Sequence, residues 1–159
     1  MDEIKRILQD ITTRLEKLER YSNNIVSFST RPMFIASFSS GTIGPGNVMV
    51  WNNEWIDTAS NYNPSTGIFT ASVAGQYAFG FNILLPNAGA GEFRFEFYKN
   101  NALHNGIIQQ KIAGAWQTIE GVCLITLAVN DTVKINYTTG TGNAYMDQNY
   151  DRFWGFLVG

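Results

Sequence analysis

Hydrophobic positions follow two different rhythms along the chain. From residue 4 they recur at Ile4, Leu8, Ile11, Leu15, Leu18 and Ile25, with Ser22 filling the remaining place, in alternating steps of four and three. That spacing puts them on one stripe of a helix, and over about three and a half heptads it predicts a coiled coil. Leu8, Leu15 and Ser22 take the a positions, and Ile4, Ile11, Leu18 and Ile25 the d positions. Leucine at a with isoleucine at d shifts preference from two strands to three or four. Ile7 widens the apolar face, so an amphipathic helix lying on its own domain is the alternative. Residues 1–26 are expected to be an oligomerising stalk, and 27–32, ending at Pro32, a short linker.

Beyond residue 32 the rhythm changes to two. Tyr77, Phe79, Phe81 and Ile83 alternate with Ala78, Gly80, Asn82 and Leu84, and Phe93, Phe95 and Phe97 share one face of 92–98. Aromatic and β-branched residues at period two make half-buried strands. Asn63-Pro64-Ser65-Thr66-Gly67 is a turn by chemistry, with proline presetting φ and glycine accepting a positive one. Further strands are expected at 33–39, 48–51, 55–57, 68–72, 103–110, 116–128, 132–138 and 153–158. The stretches 40–47, 86–91 and 140–149, rich in small residues, read as loops. The prediction is an all-β, ten-stranded antiparallel sandwich.

Two strands are apolar on both faces. Phe153, Gly155 and Leu157 oppose Trp154, Phe156 and Val158, while Gly121, Cys123, Ile125 and Leu127 oppose Val122 and Leu124. One face can line a core; the other needs a separate cover. Phe153, Trp154 and Phe156 are therefore candidate oligomer contacts, and both rhythms point to self-association.

Composition narrows the function classes. With 159 residues and 45% hydrophobic content the chain can bury one core. A net charge of −2 offers no basic footprint for nucleic acid or an anionic membrane. No run approaches a membrane span, and the charged opening Met1-Asp2-Glu3-Ile4 predicts no signal peptide in this chain. Cys123 is the one cysteine, so no intrachain disulfide forms. His104, the one histidine, and Cys123 in an apolar strand read as structural, and no zinc spacing, phosphate loop or nucleophile elbow occurs. No enzyme is expected. Trp51, Trp55 and Trp116 could form a stacking platform for a sugar or an anchor for a protein, or pack internally. Asn130-Asp131-Thr132 and Asn136-Tyr137-Thr138 are glycosylation sequons.

Residues 33–159 resemble a globular C1q domain of the C1q/tumour-necrosis-factor jelly-roll superfamily. The resemblance is carried by Asn61-Tyr62-Asn63 with Thr66-Gly67-Ile68-Phe69-Thr70, by Gly75-Gln76-Tyr77-Ala78-Phe79, and by Phe97-Tyr98-Lys99-Asn100-Asn101. Asn130-Asp131-Thr132-Val133 and the closing Phe153-Trp154-Gly155-Phe156-Leu157 complete it. Ala74 stands where proline is usual, Asn130 where glycine is, and Trp154 where a small residue is. Arg14-Leu15-Glu16-Lys17-Leu18-Glu19 similarly resembles a short trimerisation pattern, in which Arg14 pairs with Glu19 of a neighbouring chain. The resemblance implies an extracellular homotrimer that binds a glycan, a microbial surface or a cell-surface receptor, in the manner of innate-immune, lectin-like proteins. A structural fibre head and a cytokine-like signalling ligand are the alternatives. Since some relatives bind calcium near the trimer apex, Asp147 and Asp151, with Asp57, are candidate ligands; the plainer reading makes them turn residues bonding local backbone.

Overall fold

The computed structural model describes residues 2–29, 31–85, 90–111 and 113–158, with backbone alone at 21–29, 108–111 and 146. It divides into two compact units, Met1–Arg31 and Pro32–Gly159.

The first unit is one helix, α1 (Asp2–Ser29), with Asp2 and Glu3 in its first turn, where acidic groups complement the positive end of the helix dipole. The helix runs past residue 26 into the stretch expected to be a linker. No glycine or proline precedes Pro32, and it is proline that disfavours helical geometry in the residue before it. Ile4, Leu8, Ile11, Leu15 and Leu18 are all exposed in the single chain. Ile25 lies in the helix, but its side chain is outside the described residues. Arg14 Nε lies 3.1 Å from Asp10 Oδ2 one turn back, a surface pair worth about 0.3–0.5 kcal/mol.

The second unit contains β1 (Met33–Ser37), β2 (Ser40–Ile43), β3 (Asn47–Val48), β4 (Asn53–Asp57), β5 (Tyr62–Asn63), β6 (Ile68–Thr70) and β7 (Gly75–Leu85). It continues with β8 (Gly91–Lys99), β9 (Ala102–Lys111), β10 (Gln117–Leu127), β11 (Thr132–Gly140), β12 (Ala144–Asp147) and β13 (Arg152–Leu157). One sheet has the order β10-β7-β13-β1-β4; the facing sheet has β5-β6-β11-β8-β9, with β3 also on β11. These pairings are antiparallel. The architecture is a jelly-roll-like sandwich with thirteen strand segments rather than ten. Part of the excess is a ribbon, β2 with β12, where two glycine-rich loops were expected. Each lacks an apolar alternation, and main-chain pairing defines them, with Ala144 buried in the core and Ile43 packed against it.

The alternating aromatics of β7 fill the core as their period requires. Tyr77, Phe79, Phe81 and Ile83 are buried, against Phe93, Phe95 and Phe97 of the other sheet. Phe34 stacks on Tyr62 with centroids 4.8 Å apart and meets Phe153 edge-on at 4.9 Å. Phe153 is thus fully buried and cannot be an oligomer contact, a correction its inward register dictates. Two motifs behind the resemblance meet at one corner. Asn100 Nδ2 donates to Asp131 Oδ1 at 2.6 Å, Thr132 N donates to Asn100 Oδ1 at 2.8 Å, and Lys99 Nζ sits 2.9 Å from Asp131 Oδ2. These bonds, the Asn100 amide foremost, hold the Asp131 carboxyl down at about 2. The motif residues here serve the turns.

Gly67 closes the turn before β6 at φ +72°, and a Cβ there would lie 2.3 Å from the Met49 carbonyl oxygen. Gly67→Ala is expected to lose about 2–4 kcal/mol, from left-handed strain and overpacking together. Urea unfolding of the variant against the parent chain measures it.

Candidate functional site

Two surfaces of the sandwich are candidates. The first is the outer face of the β10-β7-β13-β1-β4 sheet. Register places Val122, Gly80, Trp154, Ile35 and Ile56 in one row across all five strands, and Leu124, Ala78, Phe156 and Met33 in the next. Val122 is 62% exposed, Leu124 56% and Phe156 42%. Trp154 stacks on Phe156 with centroids 5.9 Å apart and lies across Gly80, where a Cβ would stand 2.1 Å from the indole. The missing side chain on β7 is what lets a tryptophan lie flat on β13. The result is a continuous apolar strip, the kind of surface that marks association when it is open to solvent.

The second surface is a pocket of about 410 Å³ lined by Leu84, Trp116, Tyr145, Asp147 and Tyr150. Leu84 is the penultimate residue of β7, Trp116 precedes β10, and Tyr145 and Asp147 belong to β12. The rings of Trp116 and Tyr145 meet at 72° with centroids 5.6 Å apart. Trp116 is 52% exposed, and Tyr150 is also exposed.

Asp151 sits beneath this pocket, fully buried. Its Oδ1 accepts from Leu84 N at 2.6 Å and its Oδ2 from Asp147 N at 2.7 Å. Burial is the largest influence on this carboxyl and raises it to about 6, against the two backbone donors and Arg152, with Asp147 adding to the rise. Asp147 Oδ1 accepts from Asn149 N at 2.7 Å. Asp57 is committed elsewhere, its oxygens accepting from Ala59 N and Tyr62 N. Calcium takes six to eight oxygen ligands. With both Asp151 oxygens engaged and buried, and no cluster of three or more acidic, histidine or cysteine groups among the described residues, these residues do not fit a calcium site within one chain. Asp147 bonds local backbone as the plainer reading had it, whereas Asp151 accepts from one nearby N–H, that of Asp147, and one far away in sequence, that of Leu84.

The tryptophans divide three ways. Trp51 is buried in the core, its backbone N–H donating to the Tyr62 hydroxyl at 3.1 Å and its carbonyl accepting from that hydroxyl at 2.9 Å. It is no platform. Met49 and Trp51 are both buried and two residues apart, the signal that would have placed them inward. Trp55 is exposed, but its ring carries the Arg152 guanidinium 3.9 Å from the centroid. Trp116 alone of the three lines the pocket. Tyr145 and Tyr150 were not foreseen, because 140–149 has no alternation to single them out.

Cys123 is half-buried against the core, and desolvation pushes its thiol up to about 12, which keeps it protonated and a poor nucleophile. His104 is exposed on β9. Asn130 is exposed in its turn at φ +70°. Asn136 points away from buried Ile135 and Tyr137, as expected, but stands mid-sheet between β3 and β8 with its Oδ1 buried, a more crowded sequon than alternation implied. Among the described residues no helix is long and apolar enough to cross a membrane.

The fold is a two-sheet, jelly-roll-like sandwich with an apolar strip on one outer face. The family model for the C1q domain matches residues 33–158, and the chain belongs to that family. Among solved structures, the globular domain of zebrafish complement 1qA protein is similar with a TM-score of 0.67 and 20% identity, over 80% of this chain and 98% of that one. Eiger TNF from S. frugiperda matches at 0.58 and 12% identity over 81% and 94%. Murine APRIL at pH 5.0 matches at 0.58 and 8% over 80% and 99%. At these identities the structural likenesses establish the fold. C1q domains are generally non-enzymatic, typically trimeric and usually extracellular.

Proposed function

We propose that the chain is an extracellular, non-enzymatic homotrimer that recognises a repeated ligand, whether a glycan, a microbial surface or a cell-surface receptor. The observation that carries this reading is the pair of apolar rows on the outer sheet face. Three copies packed about an axis would cover Val122, Leu124, Trp154 and Phe156, which otherwise stay in water. The exposed stripe of Ile4, Leu8, Ile11, Leu15 and Leu18 on α1 supports the same stoichiometry from a second unit, with Arg14 and Glu19 available to pair between helices. Trimerisation would raise weak single-site contacts to useful strength where the ligand presents several sites.

Light scattering on the whole chain and on residues 32–159 tests the assembly. Three chain masses are expected for both. Leu15→Asn with Leu18→Asn should dissolve the coiled coil, because unpaired amides in a seam are costly, while the sandwich units stay trimeric. A monomeric mass for the unsubstituted chain would remove the avidity mechanism. Selective retention on a glycan or surface array, lost when the trimer is broken, tests recognition; no selective binder, together with higher-order assembly, would favour a fibre-head role.

A further inference from the structure

We propose that the pocket between Trp116, Tyr145 and Tyr150 binds a methylated ammonium group. The inference deepens the recognition reading above by naming the chemistry one site would take. It rests on three features of the pocket.

The shape is a corner. Trp116 and Tyr145 meet edge to face at 72° with centroids 5.6 Å apart, so their planes stand near a right angle, and Tyr150 adds a third ring to the lining. A flat pyranose stacks best on a coplanar platform. A compact, roughly spherical head fits between walls that meet near a right angle. Aromatic faces carry the negative lobe of the ring quadrupole, and quaternary ammonium ions are the cations such cages hold.

The charge is complementary. Among the described residues Asp147 is the charged one in the lining, and its Oδ1 is engaged by Asn149 N at 2.7 Å. The neighbouring cation, Arg152, is turned to the carbonyl oxygens of Gln148, Asn149 and Asp151 and to the face of Trp55. The lining thus brings three aromatic rings and a carboxylate around one pocket.

The polar inventory is sparse. A primary ammonium needs three acceptors to replace its water, and a sugar needs several donors and acceptors around its rim. Among the described residues, the polar side-chain groups of the lining beyond the Asp147 carboxylate are two phenol hydroxyls and one indole N–H. Methylation removes the need for such partners and exchanges it for apolar contact. Asp151 acts as a positioning residue: by accepting from both Leu84 N and Asp147 N it fixes two members of the lining relative to one another.

The test uses the full chain in its own oligomeric state. Choline chloride is titrated while tryptophan fluorescence and NMR shifts are followed, with its uncharged carbon isostere 3,3-dimethyl-1-butanol and a panel of neutral monosaccharides alongside. Saturable choline binding is expected, about 10-fold or more tighter than the isostere. Asp147→Asn keeps the oxygen that accepts from Asn149 and removes the charge; it should weaken choline by about 10-fold. Trp116→Ala, at an exposed position, and Tyr150→Ala should each weaken it by a similar factor. Two arms separate the sources of the group: capture on phosphatidylcholine vesicles assigns it to a lipid head, and binding of free choline without capture assigns it to a soluble ligand. Equal affinity for the isostere, saccharide binding without choline binding, or no saturable response to choline would overturn the proposal. If choline fails while the trimer still selects a glycan or a surface, this inference falls alone. If nothing is selected, the recognition reading falls with it.

Discussion

Leu124→Asp with Phe156→Asp is expected to yield a sandwich that stays folded and becomes monomeric. Both side chains point out of the β10-β7-β13-β1-β4 sheet, 56% and 42% exposed, so neither contributes much to the core of a single chain. If three copies cover that face, each substitution removes about 1.5–3 kcal/mol of apolar burial per subunit. It also brings carboxylates into a dry interface, where an unpaired charge costs several kcal/mol more. In residues 32–159 alone, which lack the α1 stalk, losses of that size repeated in every subunit should separate the heads. Light scattering reads the mass, and near-UV circular dichroism reads the retained packing. Phe153→Ala is the internal comparison: one residue along from Trp154 but facing inward among Phe34, Trp51 and Phe79, it should cost about 3–5 kcal/mol of stability. A persistent trimer in the double variant would refute the assigned face.

The second large effect concerns Asp151. Burial lifts its carboxyl from an ordinary 3.8 to about 6, so the folded chain keeps a proton that the unfolded chain has already released. The stabilisation from that group is fully present below 3.8 and is lost as pH rises through 6. Between about pH 4.5 and 7.5 the loss comes to about 2 kcal/mol. Asp151→Asn abolishes the titration, keeping one acceptor oxygen while turning an amide N–H₂ toward the other backbone donor, an unfavourable contact. Urea unfolding of both proteins at the two pH values isolates the effect from every other titrating group. The parent chain's advantage over the variant should shrink by that amount at the higher pH; an unchanged difference would remove Asp151 as the origin.

Elements with their own periodicity could be read from the chain, and the elements held by partners could not. β7 and β8 alternate aromatics against small or polar residues, and the buried aromatics there follow from the period of two, while Ala78, Gly80 and Glu96 are buried out of phase with it. The heptads likewise foretold α1. By contrast 40–47 and 140–149 are glycine, serine, threonine and asparagine in the main, so their strand character comes from backbone bonds between segments about a hundred residues apart. The same cause hid Tyr145 and Tyr150, whereas Trp116 and Asp147 were named with a different chemistry in view. Trp51 takes the internal packing that its sequence left open beside a platform, with the Tyr62 hydroxyl bonding both its N–H and its carbonyl. Trp154, a departure from the family pattern, is explained by a glycine on the neighbouring strand, a compensation between residues far apart in sequence.

The β2–β12 ribbon separates what the fold must keep from what it can change. Its register, Ala144 opposite Ile43 to Asp147 opposite Ser40, is held by main-chain bonds and by the core packing of Ala144 and Ile43, and beyond that pair such bonds permit almost any side chain. Tyr145 can therefore be exchanged, along with Tyr150 in the following turn, without disturbing the aromatic interior. Descendants of this chain could acquire new tastes while inheriting the same skeleton, and divergence between copies should accumulate at these positions before it reaches Phe79 or Phe153.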